Sequence, residues 1–160
     1  MDRGFAFDIA ILMVFLFFLV MTGVTVYFVG SQILAGTADT SSAWAFTAAL
    51  APALSAIKGV FDGMSILLLI VFTLGIIATS ELMYASTFML VVGIILMIIT
   101  VEISMMLSNV YSTFASNATI SATANQFVIS AYVMNYLPYW VVAIFAISLI
   151  YFYSKRQNDG

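Results

Sequence analysis

MSILLLIVFTLGIIATSELMYASTFMLVVGIILMIITVEISMML, residues 64–107, decides the fold class, because across this whole length only Glu81 and Glu102 are charged. A hydrocarbon core about 30 Å thick is crossed by roughly 20 apolar residues in helical form, so the stretch holds two crossings. The first centres on residues 64–79 and starts near Gly59. The second runs from about Leu82 to Leu107. A turn at Ser80 and Glu81 is so tight that it predicts an antiparallel helical hairpin.

Two further spans flank the hairpin. Towards the N-terminus, IAILMVFLFFLV (residues 9–20) leads into MTGVTVYFVG (residues 21–30) with no charge after Asp8, which predicts a span over about 5–29. Asp2, Arg3 and Asp8 precede the apolar core as in a signal peptide, but the leader is not clearly basic and the length matches a retained helix. Towards the C-terminus a fourth span is expected over 138–153. Tyr136, Tyr139 and Trp140 stand at one end of it, and Tyr151, Phe152 and Tyr153 at the other, in the manner of interfacial aromatic belts. At 1.5 Å per residue that spacing is short for a bilayer, which suggests local thinning or a helix that begins before Pro138. In the plain reading Asn135 caps the helix and Pro138 starts it; the alternative is a discontinuous helix.

The connectors are themselves apolar. Over 43–57, Phe46, Leu50, Ala53, Ile57 and Phe61 recur at helical spacing while Thr47, Ser55, Lys58 and Asp62 gather opposite. This predicts an amphipathic interfacial helix, or an extension of the second span bent near Pro52. The segment 120–135, with Gln126, Ser130 and Asn135 among apolar residues, is read as a second interfacial or re-entrant connector. Span, connector and span thus occur twice, without a residue-level repeat between the halves. The expected fold is an all-α integral membrane domain of about four transmembrane helices with one or two amphipathic connectors.

Composition agrees. The chain is 64% hydrophobic and 7% charged, far below the quarter or so that covers a soluble surface. Net charge is −3 and the only adjacent basic pair is Lys155 and Arg156, so a nucleic-acid partner is not expected. The absence of Cys and His removes thiolate chemistry, the usual zinc, haem and copper ligands, and the commonest proton-transfer side chain. No enzyme, cofactor or metal is expected. Met13, Met21, Met89, Met97, Met105 and Met106 accordingly read as packing or lipid-facing residues. With an even number of spans Arg3, Lys155 and Arg156 share one side and Lys58 lies opposite, which puts both termini on the cytoplasmic-equivalent side.

Function is sought in the few polar groups at depth. Glu102 is flanked by apolar residues, and an intramembrane carboxylate marks a functional-site hypothesis. Its position about one and a half turns from Ser108 and Asn109, taken as the span end, equally allows pairing or a reach to the headgroups; a Lys58–Glu102 pair is one possibility. Glu102, Asn109, Lys58 and Asp62 form the candidate intramembrane polar site. Lys58 and Asp62, four apart, share a helix face. Gly59 and Gly63 fit a GxxxG packing motif, and Gly93, Thr100 and Ser104, with Ser86 and Ser108, form a small-residue stripe. Asn117-Ala118-Thr119 matches a glycosylation sequon. Membrane lipids and other membrane chains, or further copies of this one, are the expected partners. The sequence favours a non-catalytic structural or accessory subunit of a larger membrane assembly. Its rival is a homo-oligomeric channel, holin-like pore or small transporter, in which Glu102, Asn109 and the Thr47–Ser55–Lys58–Asp62 stripe would face one aqueous cavity.

Overall fold

The computed structural model of the chain describes residues 5–37, 44–83 and 87–158. All regular structure among them is helical: α1 Phe5–Thr37, α2 Trp44–Met83, α3 Thr87–Ala115, the single turn α4 Ser121–Ala124, and α5 Val128–Asn158. The four long helices are each long and apolar enough to cross a membrane. α1 packs on α2, α5 packs on both α2 and α3, and α4 fills in between α1 and α3.

The helix boundaries depart from the sequence reading in three places. Of the two readings of 43–57, the separate interfacial helix is not formed and the extension of the second span is: α2 starts at Trp44 and runs through Pro52. Proline removes one backbone bond, while the alanines at 45, 48, 49, 51, 53 and 56 are strong helix formers on either side of it. The hairpin turn does not fall at Ser80 and Glu81, which belong to α2; residues 84–86, between α2 and α3, lie outside the described residues. The 120–135 connector divides into α4 and the first turns of α5, so Pro138 lies inside α5 and Asn135 does not cap it. The helix does begin before Pro138, which removes the short fourth span. Proline's fixed φ is helical, so at this position it forfeits the bond to the Met134 carbonyl without ending the helix.

Inward positions repeat at three and four residues. Met13, Leu16, Phe17 and Val20 of α1 meet Phe72 and Ile76 of α2, and Val133, Met134, Leu137, Val141, Ile144 and Phe145 of α5. A second cluster joins Val24 to Ala124 and Phe127, with Tyr27 edge-on to Phe127 at 5.5 Å between centroids. The α1–α2 contact is set by two glycines the sequence reading passed over. A Cβ on Gly23 would lie 2.6 Å from the Phe61 ring, and one on Gly30 would collide with Leu54. Both pairs are seven residues apart on antiparallel helices, so α1 and α2 lie close together for two turns because no side chain separates them.

Polar side chains within the helices mostly bond to their own backbone. Thr25 donates to the Met21 carbonyl, Thr73 to Leu69, Thr100 to Leu96 and Ser104 to Val101. Such bonds leave a helix surface with few unsatisfied groups to present to an apolar medium.

Candidate functional site

α5 begins without a local cap. Its first closed turn runs from the Ala131 N–H to the Phe127 carbonyl, which places Phe127, with no side-chain acceptor, at the capping position. The preceding N–H groups of a helix lack intrahelical partners. Asp62, reaching across from α2, supplies one: its Oδ1 accepts from the Ser130 N–H at 3.0 Å and from Ser130 Oγ at 2.6 Å. The carboxylate thereby sits at the positive end of the α5 dipole. Ser65 Oγ lies 3.0 Å from Ser130 Oγ and donates to the Phe61 carbonyl at 2.9 Å.

Asp62, Ser65 and Ser130 are all buried. Tyr111 of α3 is wholly buried, and its hydroxyl finds no hydrogen-bond partner among the described residues. One carboxylate and two serine hydroxyls therefore meet where α2 and α5 converge. Chemically, the arrangement fixes a helix start to a neighbouring helix through charge-assisted bonds.

The four residues of the sequence-derived polar site separate. Asp62 faces inward, on the same side as Phe61 and Ser65, and not opposite the apolar residues. Lys58 is half-buried one turn away, and among the described residues no ion pair joins it to Asp62 or Glu102. Glu102 and Asn109 are exposed on the outer face of α3. Glu102 is also farther from the helix end than the sequence placed it. The helix does not end at Ser108 and Asn109 but continues to Ala115, so Glu102 falls at the middle of the 26-residue apolar stretch Leu90–Ala115. At 1.5 Å per residue it is about 18–20 Å from either end.

The packing residues divide as well. Gly93, Thr100 and Ser104 face inward on α3, and Ser108 Oγ donates to the Asn135 carbonyl of α5 at 3.3 Å. Gly59 and Gly63 are exposed, and a Cβ on either would meet nothing within 4 Å. Their pattern is therefore open to another chain, while the close approach inside this one belongs to Gly23 and Gly30.

The capping role of Asp62 was hidden because residue 130 is 68 positions away. The uncapped start of α5 at Phe127 was the available signal. No known protein family matches this chain, and neither does any curated protein or solved structure.

Proposed function

We propose that the chain is a non-catalytic structural or accessory subunit of a larger membrane-embedded assembly, such as a multi-subunit membrane complex or a membrane-containing particle. The observation that carries this reading is the outer surface of α3. Ile94, Ile95, Ile98, Ile99, Met105 and Met106 are exposed there, and Glu102 and Asn109 are exposed among them. An apolar surface of this kind suits lipid, but a carboxylate at its centre does not. A neighbouring helix that brings hydrogen-bonding groups to that depth resolves the conflict, and membrane helices associate through such contacts and close packing. The exposed Gly59–Gly63 surface of α2 offers a second docking face. Asp62, by contrast, is occupied in holding α2 to α5.

The native mass of the protein, extracted gently from its source membrane, tests the proposal when every co-migrating chain is identified. A stoichiometric set of different chains is the expected result. A lone chain of 17.4 kDa would sink the reading. A pure homo-oligomer would favour the second reading, a channel in which Glu102 lines a path between copies. What favours that alternative is the exposure of Glu102 at mid-helix; it requires Glu102→Gln to change ion flux in reconstituted vesicles.

A further inference from the structure

The segment 116–127 joins α3 to α5 and carries no Asp, Glu, Lys or Arg. With each long helix crossing once, it lies on the face opposite Arg3, Lys155 and Arg156, away from the cytoplasmic-equivalent side. The inference rests on that reading of the spans. At 1.5 Å per residue the apolar stretch Leu90–Ala115 is about 39 Å long, against about 30 Å of hydrocarbon. Asn117 comes after its end. Ser116, Asn117, Ala118 and Thr119 are all exposed.

Asn117 is the one Asn of five in the chain that is followed two positions later by Ser or Thr, with Ala118 rather than proline between them. Local geometry also sets the tripeptide apart from its neighbours. The hydroxyls of Thr113, Ser116 and Ser121 donate to the backbone carbonyls of Asn109, Thr113 and Ala118. Thr119 Oγ1 makes no hydrogen bond among the described residues. Asn117 Oδ1 accepts from the Thr119 N–H at 3.0 Å, an Asx turn. That bond fixes the carboxamide and leaves its Nδ2 without a hydrogen bond among the described residues. The tripeptide lies between the end of α3 at Ala115 and the start of α4 at Ser121, so no helix has to unwind before an enzyme can grip it.

We propose that Asn117 is an N-glycosylation site, which accepts an oligosaccharide carried on a lipid diphosphate. In the transfer Asn117 Nδ2 forms a bond to the anomeric carbon of the first sugar. The bond from that carbon to the diphosphate oxygen breaks, and the lipid diphosphate leaves with the bonding pair. The amide proton passes to solvent, and nothing is oxidised or reduced. The free Thr119 hydroxyl is the group by which a membrane transferase tells this Asn from the other four. A bulky hydrophilic glycan on this end would confine partner chains to the lipid-embedded faces of the helices.

Protein purified from its source membrane provides the test. The peptide that carries Asn117 should be heavier than its residues by the mass of a sugar chain, and release of that chain by a peptide N-glycosidase should leave Asp at position 117. Full-length Asn117→Gln and Thr119→Ala, made in the same membrane, should lose the added mass completely. Thr119→Ser, which keeps a hydroxyl, should retain it, and so should Asn125→Gln, exposed in the same segment. An unmodified Asn117 peptide in the native protein overturns the proposal. Added mass that survives in Asn117→Gln places the modification elsewhere and overturns it too, and survival in Thr119→Ala overturns transfer through this tripeptide. None of these results alters the native mass of the assembly, which tests the subunit reading separately.

Discussion

Two carboxylates in this chain sit in opposite surroundings, and the difference predicts how each responds to substitution. Asp62 is buried and accepts two bonds from Ser130. Asp62→Ala would orphan the Ser130 backbone N–H and leave the Ser130 hydroxyl only Ser65 Oγ as a partner, and a buried unsatisfied group costs about 1–3 kcal/mol. A loss of about 1–3 kcal/mol is expected, read from unfolding of the purified protein in mixed micelles. Asp62→Asn keeps an acceptor oxygen and forfeits mainly the charge, so about 1 kcal/mol is expected. If the alanine and asparagine variants unfold together, Asp62 does not act as the cap of α5. Tyr111→Phe removes a hydroxyl with no hydrogen-bond partner among the described residues and should change stability by less than about 0.5 kcal/mol. Glu102 is exposed and makes no hydrogen bond or ion pair among the described residues, so its replacement should leave folding of the single chain unchanged and act on association.

Between elements, the α1–α2 contact depends on absent side chains. Gly23→Leu and Gly30→Leu would drive a branched side chain into Phe61 and Leu54, and overpacking of this sort costs about 1–3 kcal/mol. Gly59→Leu and Gly63→Leu enter open space and should leave the isolated chain within about 0.5 kcal/mol of the parent. Thermal unfolding of the four variants side by side checks the contrast. A destabilised Gly59→Leu would place that face inside the fold, against its observed exposure. The GxxxG spacing was legible in the sequence because both glycines stand in one window, four apart. Gly23 and Gly30 are seven apart in an evenly apolar helix, and their partners lie on another helix, so spacing alone did not single them out.

For the whole molecule, an even number of long helices sets which ends share a side. Asn117, in the segment after α3, and Ser154, near the end of α5, are both exposed and are separated by the α5 span. Single-cysteine versions of the two, labelled with a membrane-impermeant maleimide on sealed membranes, should react from opposite sides, with Ser154→Cys on the cytoplasmic-equivalent side. Labelling of both from one side would contradict a crossing by α5. By itself the sequence determined the class: long charge-free runs and a scarcity of surface charge leave no alternative to apolar helices, because burial of apolar groups is additive along the chain. It also marked Glu102 as costly, since the expense of a carboxylate in apolar surroundings is a property of the residue and its neighbours in sequence, whereas Asp62 was matched only with Lys58 four positions earlier. Tertiary structure alone decided which of the two turns inward, that Ser130 is the group Asp62 satisfies, that Pro52 and Pro138 lie within helices, and that Gly23 and Gly30 make the close contact. Each of these depends on which helix faces which, and an evenly apolar surface carries little rotational information until packing against a neighbour selects one face.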